Sequence, residues 1–287
     1  NYLVMKLKIR VILSQLSSEL GNKDANLEKI NMVLKKYVNK NEPTLILFPE
    51  LYLTGYMIKE MVHKLAEEIP GPSTQKIQEI LVDYPNVLIA IGMPERALYP
   101  RGVIYNSYVF ISQDGVEEVY RKRHFPTFGV FDEHRYFKPG PFSVPDLIEF
   151  GEFRIGAQIC YDTFFPEVVR TLALVGADLV AIPSAAPTAS RPLWPKILYA
   201  RAVENTVFIA YINTVGYQDD LEFFGESRLI DPLGKDIIVG KSYEEDIVSA
   251  LIDLRSIIRA REIRPVQKDI DYGDILMLHE AYDYHFQ

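Results

Sequence analysis

The chain has 287 residues, 48% of them hydrophobic and 24% charged, a balance that excludes disordered, collagenous and disulfide-scaffold classes and leaves one large soluble unit or two smaller ones. With 31 Lys and Arg against 39 Asp and Glu the net charge is −8, the wrong sign for a groove that neutralises a phosphate backbone, so no nucleic acid partner is expected. The single cysteine, Cys160, excludes an internal disulfide and a Cys-pair zinc site, and it suits a reducing cytoplasm. No apolar run approaches the roughly 18 residues that span a bilayer, and Met5-Lys6-Leu7-Lys8-Ile9-Arg10 runs into Ser14 and Gln15 before a signal-peptide core develops. No membrane contact or targeting segment is therefore expected; residues 1–4 simply precede Met5.

In chain order, Leu7, Ile9, Val11 and Leu13 alternate with period 2 and predict a strand, while Leu27, Ile30, Leu34 and Tyr37 recur at helical spacing behind Asn22 and Asp24. The continuous apolar run Thr44 to Phe48 predicts a strand covered on both faces, stopped by Pro49. A helix is expected from Ser73 or Thr74, then a buried strand from Val87 to Gly92. Val103 to Ile111 and Val116 to Arg121 predict two strands around Gln113-Asp114-Gly115, where Asp-Gly supplies the positive φ of a tight turn. An aromatic and glycine-rich loop from about His124 to Pro145 follows, and then the order repeats. The expected elements are a strand at Phe153 to Ile159, a helix at Pro166 to Val175 ended by Gly176, a strand at Asp178 to Pro183, a helix at Leu193 to Asn205 and a strand at Val207 to Asn213. A hairpin around Asp231-Pro232-Leu233-Gly234 and a strand near Ile247 to Ile252 complete the pattern.

Each half thus reads β-α-β-α-β followed by paired strands, with no Ser/Gly-rich linker or charge block between them. This predicts one domain over residues 1–261 built of two similar halves, packed sheet to sheet as an α-β-β-α sandwich. Residues 262–287 are polar and tyrosine-rich without clear periodicity, and are expected to form an arm that docks on a partner or elsewhere.

Several residues could carry chemistry. Cys160 alone is weak evidence, because free cysteine usually packs as a small hydrophobe; its place on a strand-to-helix turn is stronger, since such a turn presents a nucleophile with backbone N–H groups beside it. Glu50 stands just past the strand ending at Phe48, among Phe48, Tyr52 and Tyr56, and is either a loop charge or a partly buried base. Lys122 ends the strand Val116 to Arg121, where three successive cations alone would read as a wet strand end. All three follow the C-terminal ends of predicted strands, where α/β sheets gather ligands. Two other constellations remain open on the residues alone. His124 with Cys160 and Asp162 is a possible Cys-His-Asp system. Asp132, Glu133, His134 and His124 are possible metal ligands, although adjacent residues on an extended segment point to different faces. Trp194, Phe125, Phe128 and Phe131 either line a pocket or pack ordinarily.

Phe48-Pro49-Glu50 with Gly55-Tyr56, Tyr120-Arg121-Lys122 with His124, and Cys160-Tyr161-Asp162 with Phe165-Pro166-Glu167 resemble the three catalytic signatures of the nitrilase, or carbon-nitrogen hydrolase, superfamily. Phe128 to Glu133 leading to Arg135, Phe137, Pro139 and Gly140 resembles the segment carrying that family's second glutamate. Arg201 to Asn205, Phe224 to Ser227 and Asp231 to Gly234 resemble its later landmarks, so the likeness spans about residues 5 to 255. The resemblance implies the α-β-β-α fold, a Glu50, Lys122 and Cys160 triad with Glu133 orienting Lys122 or substrate, and cofactor-free, metal-free hydrolysis of a small nonpeptide amide or carbamoyl compound through a thioester. Tyr56, Tyr161, Phe128 and Trp194 are the expected substrate contacts. Tyr161-Asp162 is similar to the amidase and carbamoyl-hydrolase branches, whereas nitrilases proper tend to carry Trp-Glu there. Acyl transfer, nitrile hydrolysis and a noncatalytic scaffold remain the alternatives, and a homodimer or larger assembly is implied.

Overall fold

The computed structural model describes residues 7–286, so the readings made on residues 1–6 lie outside it. The first half runs β1 (Lys8–Gln15), α1 (Lys23–Tyr37), β2 (Thr44–Leu47), α2 (Pro72–Leu81), β3 (Val87–Arg96), β4 (Ile104–Ser112) and β5 (Gly115–Arg121). The second runs β6 (Ile148–Phe150), β7 (Phe153–Ala157), α3 (Pro166–Leu174), β8 (Leu179–Ser184), α4 (Trp194–Asn205), β9 (Phe208–Asn213), β10 (Val215–Gln218), β11 (Leu221–Phe224), β12 (Arg228–Ile230) and β13 (Asp236–Val239). β14 (Asp246–Asp253), α5 (Arg255–Ile263) and α6 (Tyr272–Phe286) close the chain.

Two six-stranded sheets form, ordered β14-β1-β2-β3-β4-β5 and β13-β12-β9-β8-β7-β6. Alternation along the strands decides how they stack. Ile9, Val11, Leu13, Leu45 and Leu47 share one buried cluster with Phe153, Ile155, Ala181 and Ala210 of the other sheet. Ile12, Ile46 and Ile89, one residue out of phase, pack instead against Leu27, Ile30 and Leu34 of α1 and Ile77 and Leu81 of α2. On the far side Leu172 of α3 and Leu198 of α4 cover the second sheet. The result is the expected α-β-β-α sandwich.

The internal repeat is also plain in the pairing. β1-β2-β3 are parallel with β4 and β5 antiparallel beyond them, and β7-β8-β9 are parallel with β12 and β13 antiparallel beyond them. Each sheet opens on an antiparallel edge strand, β14 against β1 and β6 against β7.

Several expectations are corrected. The strand read from Phe153 to Ile159 stops at Ala157, because Cys160 already starts a helical turn, Cys160–Phe164. The strand near Ile247 to Ile252 crosses to the first sheet, matching Ile9 with Ile252 in an antiparallel ladder. β6 and the β10-β11 hairpin were not anticipated, and the loop from His124 to Pro145 contains a helical turn at Glu133–Tyr136. The segment expected to form a C-terminal arm is largely helical among the described residues: α5 crosses residue 262 and α6 is exposed along nearly its whole length. Among the described residues no helix is long and apolar enough to cross a membrane.

Candidate active site

Glu50 lies just past β2, on a chain turn held by the Phe48 N–H donating to the Ala90 carbonyl and the Leu53 N–H donating to the Gly92 carbonyl. This passage is so close to β3 that a Cβ on Gly92 would sit 2.3 Å from the Leu51 nitrogen and 2.6 Å from the Pro49 oxygen. Only glycine leaves the room. The Glu50 carboxylate is buried and accepts from every side: Oε1 from Asn106 Nδ2 at 2.8 Å and from Lys122 Nζ at 2.7 Å, and Oε2 from the Ala185 N–H at 2.9 Å.

Lys122 follows β5, its N–H donating to the Asn106 carbonyl and its carbonyl accepting from the Gly140 N–H. Its side chain is fully buried, with Nζ 2.7 Å from Glu50 and 2.8 Å from the carboxylate of Glu133. Glu133 opens the helical turn that interrupts the long loop, and its Oε1 also accepts from the Tyr56 hydroxyl at 2.6 Å. The aromatic and glycine-rich loop thus brings a second carboxylate to the lysine.

Cys160 sits at the elbow after β7 with φ of 45° and 8% exposure. That conformation is uncommon for a side chain with a Cβ and is found where a nucleophile is held at a sharp strand-to-helix turn. Gly156 permits the approach of α3 beneath it, since a Cβ there would meet Leu172 at 2.7 Å.

The electrostatics follow from burial. Burial pushes the Cys160 thiol well above its ordinary value; Glu50 adds to this, Lys122 opposes it, Glu133 adds again, and a hydrogen bond from the Ala185 N–H opposes it. Burial thus favours the neutral thiol over the thiolate. Burial acts against the charge of Lys122, but Glu133 and Glu50 outweigh it and hold the ammonium above its usual range. Burial likewise pushes the Glu133 carboxyl up to about 7, with Lys122 opposing and Glu50 reinforcing the shift.

The four candidate catalytic residues are thus brought together. Of the candidate substrate contacts, Tyr56 bonds Glu133, and Tyr161 stands next to Cys160 with its ring edge-on to Phe128 at 5.7 Å. Phe128 is exposed. Trp194 is buried behind Phe164, stacked on Tyr211 at 4.9 Å. A cavity of about 300 Å³ bounded by Tyr56, Ile58, Val62, Val130, Phe131 and Glu133 reaches the carboxylate end of the site.

The competing constellations separate. His124 bonds Asp162 through Nδ1 at 2.8 Å and stacks on Phe165 at 3.7 Å, but among the described residues it makes no hydrogen bond to Cys160. Of the other acidic and histidine candidates, Asp132 faces Arg135, His134 packs edge-on against Phe125, and Glu133 is committed to Lys122. Asn106, Ala185 and Gly92 are site residues that reading the sequence missed. The first two show themselves only through donors aimed at Glu50, and Gly92 only through the Glu50 turn that crosses it.

With this geometry in hand, the profile of the carbon-nitrogen hydrolase family matches residues 10–262. The chain belongs to the carbon-nitrogen hydrolase family, within the nitrilase superfamily. It is 34% identical over 257 residues to a 2-oxoglutaramate amidase of Bacillus subtilis, covering 89% of this chain and 95% of that one. A probable nitrilase of Schizosaccharomyces pombe is 34% identical over 252 residues, 86% of this chain and 90% of the relative. A glutamine-dependent NAD(+) synthetase of Aquifex aeolicus is 33% identical over 270 residues, 92% of this chain but only 46% of the relative's length. Among solved structures, a nitrilase-superfamily member of Saccharomyces cerevisiae superposes with a TM-score of 0.81 at 27% identity, covering 92% of this chain and 96% of that chain.

Proposed function

We propose that this carbon-nitrogen hydrolase cleaves a small linear amide to its carboxylic acid and ammonia through a thioester on Cys160. The observation that carries the reading is the buried Glu50-Lys122-Glu133 network set against a buried thiol at a positive-φ elbow. Glu50 takes the thiol proton as the sulfur attacks the carbonyl carbon. The negative charge that moves onto the carbonyl oxygen is met by the Lys122 ammonium and the N–H of Tyr161. Protonated Glu50 then gives its proton to the amide nitrogen, the carbon-nitrogen bond breaks, and ammonia leaves. Glu50 next takes a proton from water, whose oxygen attacks the thioester carbon; the acid departs and the proton returns to sulfur. Glu133 keeps Lys122 aimed, and Tyr56 keeps Glu133 aimed.

An amide is favoured over a nitrile because the leaving nitrogen of an amide needs a proton that Glu50 can deliver while Lys122 holds the oxygen. The relatives include an amidase and a probable nitrilase at equal identity, so the choice rests on this chemistry. The catalytic thiol suits a reducing cytoplasm, and the exposure of Ile275, Met277 and Leu278 on α6 supports a homodimer in which these side chains find cover. The test is ammonia release from a panel containing propionamide, butyramide, glutamine and 2-oxoglutaramate, each beside its matching nitrile where one exists. Turnover of amides that Cys160→Ala abolishes supports the reading. Higher kcat/KM for nitriles, or ammonia release that survives Cys160→Ala, overturns it.

A further inference from the structure

Asp162 is fully buried two residues beyond the nucleophile, and the mechanism above gives it no task. Its carboxylate gathers donors from both halves of the molecule. Oδ1 accepts from the N–H of His124 at 2.9 Å, from the N–H of Arg123 at 3.3 Å and lies 2.8 Å from His124 Nδ1. Oδ2 accepts from the Tyr120 hydroxyl at 2.9 Å and from the N–H of Ile159 at 3.1 Å. Tyr120, Arg123 and His124 bracket Lys122 at the end of the first sheet; Ile159 directly precedes Cys160 at the end of the second. One anion is therefore the common acceptor for the strand end that carries the ammonium and for the elbow that carries the thiol.

We propose that Asp162 is the positioning residue that holds Lys122 and Cys160 in register across the two sheets, a role that rests on reading Cys160 as nucleophile and Lys122 as oxyanion donor. The charge matters as well as the shape. Both oxygens of a carboxylate accept, whereas an amide turns an NH₂ group toward one side or the other. The Tyr120 hydroxyl can rotate to accept from that NH₂, and the His124 ring can change tautomer, but a peptide N–H can do neither. Whichever way Asn is placed, it opposes either the Ile159 N–H on the nucleophile side or the Arg123 and His124 N–H groups on the lysine side. Lys122 and Cys160 then move apart while the cavity bounded by Tyr56, Val62, Val130 and Phe131, built by other segments, stays in place.

The experiment measures kcat and KM at 25 °C, with the amide of the panel that the wild type turns over fastest, for wild type, Asp162→Asn, Tyr120→Phe, the double variant and His124→Ala, each with its unfolding temperature. Asp162→Asn should lower kcat about 10²-fold with KM within about threefold, the cost of roughly an ångström of misplacement between reacting groups. Tyr120→Phe, which deletes one bond to Oδ2, should lower kcat about fivefold alone and almost nothing in the Asp162→Asn background, because coupled residues are not additive. A purely structural Asp162 would instead lower the unfolding temperature with kcat within threefold of wild type, and that result overturns the proposal. So does a rise in KM at constant kcat, or full additivity in the double variant. Should Asp162→Asn not fold, Tyr120→Phe decides: a kcat equal to wild type refutes, a fivefold fall at constant KM supports. Loss of turnover in His124→Ala comparable to that of Cys160→Ala would also refute it, by making His124 and Asp162 a relay to the thiol. Failure of the underlying reading looks different, since wild-type protein would then turn over amide with no acyl group on Cys160.

Discussion

Replacing Lys122 by Arg keeps the charge and changes its shape, which makes it the sharpest probe of the oxyanion donor. Nζ is fully buried, 2.7 Å from Glu50 and 2.8 Å from Glu133. A guanidinium is planar and longer than an ammonium, and its fork favours a bidentate grip on one carboxylate over a point charge shared among two carboxylates and a substrate oxygen. It would seize Glu50 or Glu133 and leave the oxyanion position without its cation. Removing one such donor typically costs about 10² to 10³ in kcat, or about 3 to 4 kcal/mol, and a displacement of about 1 Å contributes on the same scale. The assay is steady-state ammonia release, with thermal unfolding measured in parallel so that only folded protein is compared. A folded Lys122→Arg protein with kcat within tenfold of wild type would refute the assignment and return Lys122 to the role of a buried ion-pair partner.

Glu133→Gln should lower kcat about 10²-fold by releasing Lys122 from its aim, and it also carries a pH signature. The Glu133 carboxyl, raised to about 7 in the folded chain, keeps its proton while the unfolded chain has lost it, so its ionisation costs stability that is absent below about 4.5 and fully present above about 7. Wild type minus Glu133→Gln in unfolding temperature should accordingly fall between pH 5 and pH 8; a flat difference contradicts the burial argument. Gly92→Ala places a methyl against the Glu50 turn, where backbone atoms at 2.3 and 2.6 Å cannot yield, and should cost about 10² in kcat together with about 1 to 3 kcal/mol of stability; retained kcat would show that the Glu50 turn is not fixed by this contact. Deleting residues after Asp269 removes α6 and should lower the mass per particle seen by light scattering from dimer to monomer at micromolar concentration. An unchanged mass, or a full-length monomer, removes α6 from any interface.

Much of the site was legible because chemistry in this fold is concentrated at strand ends. Glu50, Lys122 and Cys160 each follow a stretch that reads as a strand, and their order matched a family signature. Glu133 was legible by resemblance alone, since nothing in its loop foretold the helical turn that aims it. Asn106 was not legible: it lies within β4, where a buried polar residue reads as an interruption until its partner Glu50, just past β2, is in place. The same holds for Ala185, which acts through its backbone, and for Asp162, whose five contacts come from within and just beyond the ends of two sheets. The fold's first half could be read locally, but β14 pairs with β1 from the opposite end of the chain, and no local pattern encodes so distant a partner. α6 escaped for another reason. Ile275, Leu276, Met277 and Leu278 are consecutive, so they ring the helix instead of marking one face, and periodicity has nothing to detect.

The central claim is that Cys160 is acylated by substrate. Intact-mass and peptide mass spectrometry of wild-type protein, quenched in acid during turnover of the best amide, reads this directly. The account predicts a mass increase equal to the acyl group less one hydrogen, located on the peptide containing Cys160, blocked by prior treatment with iodoacetamide and absent in Cys160→Ala. An acyl group on another residue, or undiminished ammonia release from protein fully alkylated at Cys160, would contradict it.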